Sequence, residues 1–156
     1  MELLEDRSAF KCRASSTLNR SAEFAVANMF SSDDSCWNSE GNSEAGQWLL
    51  FDFLGKAVEV QRLQITFQGG FVGQDGLLEV KDSKEGDAKA TIVLDEITRI
   101  EDNNDTQEWS IPAAELSQCR GKFVKISFPA STDFYGRVTI YKLALLGTWL
   151  PEKECE

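Results

Sequence analysis

The segment Val58–Phe67, VEVQRLQITF, decides the fold. From Arg62 onward it alternates strictly, with Leu63, Ile65 and Phe67 on one side and Arg62, Gln64 and Thr66 on the other. A period of two belongs to a strand with one buried and one wet face, because successive side chains of a pleated chain point to opposite sides. The habit recurs in both directions. Upstream, GQWLLFDF (46–53) is an apolar run with Asp52 flanked by aromatics. Downstream, Gly69, Gly70, Gly73 and Gly76 mark a loop, and LLEVKD and ATIVLDEITRI flank the turn-like SKEGD. QEWSIP is a short strand stopped by Pro112, and KFVKISFP sets Val124, Ile126 and Phe128 together before Pro129. RVTIYKLALLGTW (137–149) reads as a last strand in which Val138 and Ile140 oppose Thr139, Tyr141 and Leu143. Only SAEFAVANMF (21–30), of mixed period, and AAELSQC (113–119) leave room for helical turns. About seven strands between glycine and proline turns, without a long amphipathic helix, predict an all-β sandwich or barrel and not a βαβ enzyme fold.

The chain has 156 residues, the length of one domain, and a hydrophobic fraction of 42% supports a core of its own. Sixteen basic against 26 acidic residues give a net charge of -10, which repels phosphate backbones and anionic membranes and argues against direct nucleic-acid binding. The run DEITRIEDNNDTQE (95–108) holds six acids against Arg99 alone, as a solvated turn or an acidic recognition edge. There is no apolar run of the roughly 18 residues a membrane span needs, and the acidic start MELLEDRSAFKC is unlike a signal peptide, so an intracellular protein is expected. Cys12, Cys36, Cys119 and Cys155 have no close spacing and no histidine accompanies them, so free thiols and no metal or other cofactor are expected.

The polar stretch NMFSSDDSCWNSEGNSEAGQWLLFDF (28–53), seeded with acids and running into a strand, is the clearest candidate site, since loops on the rim of a rigid sheet commonly carry binding. Catalysis is not expected. The chain has no histidine and no serine in a nucleophile turn. Asp33 with Asp34, and Glu101 with Asp102, are sequence neighbours that point apart on an extended chain.

The order WNSEGNSEAGQWLLFDF, a glycine-rich gap and a last strand closing on LLG resembles the discoidin or coagulation-factor type C family of galactose-binding-like domains. That resemblance implies a jelly-roll β-sandwich over residues 15–147, with short extensions 1–14 and 148–156. Across most of the chain, including FQGGFVGQDG, the likeness is stronger to intracellular members that partner a nuclear receptor of the testicular orphan type. It implies such a receptor as partner, a nuclear location shared with the cytoplasm, and repression of receptor-dependent transcription. A chain of charge -10 is better suited to covering a receptor's basic DNA-binding surface than to competing for DNA. The alternatives are a sugar or phospholipid head-group binding domain and a structural subunit of a larger assembly.

Family ligands bind at one end of the sandwich, and the matching segments here are 28–41, 68–76, 102–107 and 130–136. Their acids Asp33, Asp34, Asp102 and Asp105 are expected to steer a basic partner. Phe71, Phe134 and Tyr135 are expected to anchor it unless they fold inward to cap the core. Arg62, Lys125 and Arg137 read as ordinary solvent-face residues of strands. Trp48 resembles the family's buried tryptophan, and Trp37 is expected to wedge its loop closed. Some relatives hold a structural calcium with loop carbonyls, an acid, a hydroxyl and a last-strand glutamate. Here Cys36 and Lys142 stand at the last two positions, so Lys142 is expected to reach the loop carboxylates as a fixed charge in place of the metal. Secreted relatives often join the two ends of the domain by a disulfide, for which Cys12 and Cys155 are the matching pair.

Overall fold

The computed structural model describes residues 1–151. Twelve strands follow one another among these residues: β1 (Lys11–Ala14), β2 (Trp37–Asn38), β3 (Gln47–Asp52), β4 (Val58–Phe67), β5 (Gly73–Gln74), β6 (Leu77–Lys81), β7 (Ala90–Val93), β8 (Thr106–Ser110), β9 (Arg120–Gly121), β10 (Phe123–Phe128), β11 (Ala130–Ser131) and β12 (Thr139–Trp149). One sheet has the order β1-β3-β10-β6-β7, and the other runs β2-β12-β4-β8 with β9 also paired to β4. Every pairing is antiparallel, and β5 and β11 form a small separate ribbon. The inward faces meet in one core: Leu49, Phe51, Val124 and Ile126 from the first sheet lie against Leu63, Ile65, Trp109 and Leu145 from the second. This is an all-β jelly-roll sandwich.

The helical content is short. SAEFAVANMF forms 3-10 turns at Ala22–Phe24 and Val26–Phe30, and Ala113–Gln118 forms another. ATIVLDEITRI, expected as one strand, leaves the sheet after Val93 and makes one α-turn, α1 (Leu94–Ile97). Acidic Asp95 and Glu96 sit in its first turn, where the exposed amides favour negative charge.

Two bulges reset the side-chain parity of the β4–β12 pair. Gln61 is the extra residue between Val60↔Gly147 and Arg62↔Leu146, so Val60 and Leu63 both face the core although three residues apart. Tyr141 is extra between Ile140↔Phe67 and Lys142↔Thr66. Leu143, expected opposite Ile140, is therefore buried on the same side, because one inserted residue turns over every later side chain.

Residues 1–14, expected as an extension, are packed into the sandwich. Leu3 N donates to Leu145 O at 2.7 Å, Gly147 N donates to Met1 O at 2.9 Å, and β1 pairs with β3. Leu3, Leu4 and Phe10 are buried. β2 covers only the start of the long β12, and the N-terminal residues satisfy the backbone groups it leaves open. At the other end Trp149 still belongs to β12 and meets Phe53 edge-to-face at 5.6 Å. Cys12, Cys36 and Cys119 are free thiols, and Cys155 lies outside the described residues.

Candidate functional site

At one end of the sandwich the segments after β4, before β8 and between β11 and β12 are stitched together by backbone groups. Gly69 N donates to Asn104 Oδ1 at 2.6 Å and Gly70 N to Asp102 Oδ1 at 2.8 Å. Gly70 has φ +87, a conformation that only glycine adopts without strain. Val72 and Thr132 exchange two bonds, at 3.0 and 2.9 Å, and Thr139 N donates to Phe71 O at 3.0 Å. Asn42 N closes the rim on Tyr135 O at 2.7 Å. A β-carbon at Gly41 would sit 2.5 Å from that same oxygen, so the approach requires glycine.

Arg137 is the centre of this end. Its guanidinium lies 5.2 Å from the centroid of the Phe71 ring and 5.5 Å from that of Tyr135. Its Nε and Nη2 donate to both oxygens of Asp133 at 3.0 and 3.3 Å. Asp133 also accepts from the amides of Tyr135 and Arg137, and its own amide donates to Ser131 Oγ. The Arg137 hydrogen bond is the leading cause that holds the Asp133 carboxyl below its ordinary range, and the reciprocal bond raises Arg137. The turn between them is thus fixed, and it projects two rings. Phe134 is 92% exposed and Tyr135 54%, and they meet edge-to-face at 5.2 Å.

The structure divides the sequence candidates into separate groups. Phe71 and Tyr135 come together around Arg137 and Phe134 meets Tyr135, but Phe71 is half-buried and stacked, which leaves Phe134 as the most exposed ring. Asp102 is tied to Gly70, whereas Asp105 is exposed on the same loop. Asp33 belongs to another turn. Its carboxylate accepts from Ser31 Oγ, from Ser35 Oγ and from Ser35 N, and these bonds, that of Ser31 first, hold it well below the usual carboxylate range. Asp34 is exposed beside it.

Lys142, expected on the loop carboxylates, instead donates to backbone oxygens, Asp33 O at 2.7 Å and Asn28 O at 3.4 Å. These are the kind of oxygens a structural calcium would take, and an ammonium already holds them. Burial pushes the nearby Cys36 thiol up, with Glu23 adding and Lys142 opposing. The residues present do not fit a dication. Among the described residues no three His, Cys, Asp or Glu side chains gather as metal ligands.

Of the two tryptophans, Trp37 takes the structural place expected of it and Trp48 does not. Trp37 is fully buried, and its Nε1 donates to Ser16 O at 3.0 Å. Trp48, expected in the core, faces outward with Lys125 5.4 Å from its ring. Leu49, Phe51 and Phe53 take the inner face of that stretch, and the parity places Gln47 inside with them. Gln47 is satisfied there by Ser15, Ser16 and the carbonyl of Glu40. Asp133 and Arg137 were the residues that reading by strand period passed over.

Solved structures confirm the architecture. A CBM32 module of Clostridium perfringens solved with GalNAc-β-1,3-galactose superposes with TM-score 0.69 at 12% identity, covering 94% of this chain and 100% of that one. A family 32 module of C. perfringens NanJ in complex with galactose gives 0.64 at 18%, covering 93% and 98%. A Paenibacillus chitosan-binding module in complex with chitotriose gives 0.65 at 12%, covering 89% and 97%. At these identities the likeness is one of fold, and it defines a discoidin-type, galactose-binding-like jelly roll. No family model matches the chain. Relatives do: the nuclear receptor 2C2-associated proteins of Homo sapiens and Danio rerio are each 39% identical over 139 residues, 86% of this chain and 89% of theirs. That of Xenopus tropicalis is 35% identical over 137 residues, with 86% and 91% covered. The chain belongs to the family of nuclear receptor 2C2-associated proteins.

Proposed function

We propose that the chain is a non-catalytic protein-binding module whose loop end associates with nuclear receptor 2C2. The observation that carries this reading is the pair of exposed rings, Phe134 and Tyr135, presented on a turn that Asp133 and Arg137 hold rigid. Exposed aromatics on a pre-ordered loop lose little entropy on binding and are typical interface anchors. The names of the relatives supply the receptor. The finer steps are that binding hinders the receptor's contact with DNA, represses receptor-dependent transcription, and takes place in the nucleus. The net charge of -10 favours approach to a basic surface, and exposed Asp34 and Asp105 are placed to speed encounter.

Surface plasmon resonance against the receptor's separate DNA-binding and ligand-binding domains tests this. Phe134→Ala or Tyr135→Ala is expected to quicken dissociation and cost about 1 to 3 kcal/mol. Neutralising Asp34 and Asp105 is expected to slow association, most at low salt. Failure of both domains to bind the folded protein would remove the reading. A second reading, recognition of a sugar or head group at the same end, is favoured by the solved neighbours with galactose-containing ligands and by the donors of Arg137 between aromatic faces. Glycan binding lost with Arg137→Met, in a protein that ignores the receptor, would select it.

A further inference from the structure

A second surface lies on the outer face of the other sheet, built from β1, β3 and β10. The strand registers place Arg13, Leu50 and Lys125 in one row across the three strands. Trp48 lies two residues along β3 from Leu50 on the same face, with Lys125 over its ring. The turn between β6 and β7 folds over this face: Lys81 Nζ donates to Lys84 O at 3.1 Å, and Lys84 and Glu85 line a cleft of about 300 Å³ with Arg13, Trp48, Leu50 and Lys125. Three cations thus converge on an apolar floor, with Glu85 on its rim and Glu79 opposite Lys125 in the β6–β10 register.

The charge arrangement is anomalous for this chain. Acids outnumber bases 26 to 16, yet none of the four ion pairs among the described residues involves Arg13, Lys84 or Lys125. We infer that this cleft is a docking site for an acidic peptide segment that carries an apolar side chain. Arg13 and Lys125 stand two strand spacings apart, roughly 10 Å at the level of the backbone, and an extended chain with acid, apolar and acid side chains at alternate positions spans about 13 Å on one face, a difference the long Arg13 and Lys125 side chains can take up. The apolar side chain would lie between them on Leu50 and Trp48. A peptide fits better than a nucleic-acid strand because the cleft holds one or two side chains, Glu85 stands on its rim, and the net charge of -10 repels a long polyanion. This site is independent of the loop end and of its receptor.

Titration of the 15N-labelled protein with a synthetic octapeptide of six glutamates around a Phe-Leu pair, followed by NMR, tests the inference. The indole N–H of Trp48 and the amides of Arg13, Lys84 and Lys125 are expected to shift, those of Phe134 and Tyr135 to stay. Lys125→Glu is expected to weaken binding about tenfold or more by opposing like charges, and raised salt should weaken the wild type. Lys125→Gln is a milder companion expected to bind between the two, and the dispersed spectrum of each variant reports its folding. The inference is overturned if the peptide shifts nothing, if a glutamine version binds equally, if the shifts fall only on the loop end, or if an oligothymidylate moves the same signals more strongly.

Discussion

Lys142→Met removes an ammonium from the turn at residues 31–36 while keeping a side chain that covers much the same apolar surface. The lysine makes one good bond, 2.7 Å to Asp33 O, and a marginal one, 3.4 Å to Asn28 O. A hydrogen bond from a charged donor contributes about 1.5 to 3 kcal/mol, and partial exposure here argues for the lower part of that range. The expected loss is therefore about 1 to 2 kcal/mol, or roughly 2 to 8 °C in melting temperature for a domain of this size. Calorimetry gives the global cost, and hydrogen exchange shows whether it is local, since the turn's own bonds from Ser31 and Ser35 to Asp33 remain. The amides of residues 31–36 should exchange faster, and those of the core strands should shift only with the global change. An unchanged melting temperature together with unchanged exchange would falsify the idea that this lysine fastens the loop to β12.

Further outcomes follow from the same geometry. Calcium added to the wild-type protein should leave the melting temperature unchanged, because Lys142 holds the carbonyls a metal would need; a rise under calorimetry would count against that. Gly41→Ala should loosen the loop end and shift the NMR signals of Tyr135 and Arg137, since its β-carbon would meet Tyr135 O. The folded pKa of Asp133 is depressed, chiefly by Arg137, so its contribution is complete above the unfolded carboxylate value near 3.9. It is lost as pH falls through the lowered value, so the turn should be unaltered from pH 7 to about 5 and open only in stronger acid. NMR of Tyr135 should show that response in the wild type and not in Asp133→Asn. Burial pushes the Cys12 thiol up to about 12 and the Cys119 thiol to about 11, so both should react slowly with Ellman's reagent in the native protein and rapidly once it is unfolded.

The sandwich was legible because alternation over residues 62–67 and 122–128 reports directly which face meets the core. Its failures came where one residue was inserted. Tyr141 is unpaired in the β4–β12 ladder, and a period of two has no means of showing that the register skips there. The packing of residues 1–14 was missed for another reason: Leu3 and Leu4 form too short a run to show a period, and their place depends on how much of β12 the brief β2 leaves uncovered.

Trp48 and Gln47 show how a local pattern can outweigh residue type. Leu49, Phe51 and Phe53 already fix the inner parity of their strand, and extending it backward assigns the core side to Gln47 and the open side to Trp48. Burying the larger ring would require a slip of one residue, which would expose Phe51 and Phe53 in exchange. The glutamine is tolerated because Ser15, Ser16 and Glu40 complete its hydrogen bonds, so its burial leaves no polar atom unpaired. At the loop end the signal was also present, though not in strand period. Asp133 and Arg137 are four residues apart around Phe-Tyr-Gly, and a turn that closes at Gly136, where φ is +79, brings the two charges together and pushes the rings between them outward. Arg137 looked like a strand residue only because Val138, Thr139 and Ile140 follow it. The strand begins at Thr139, and the arginine before it is free to serve the loops.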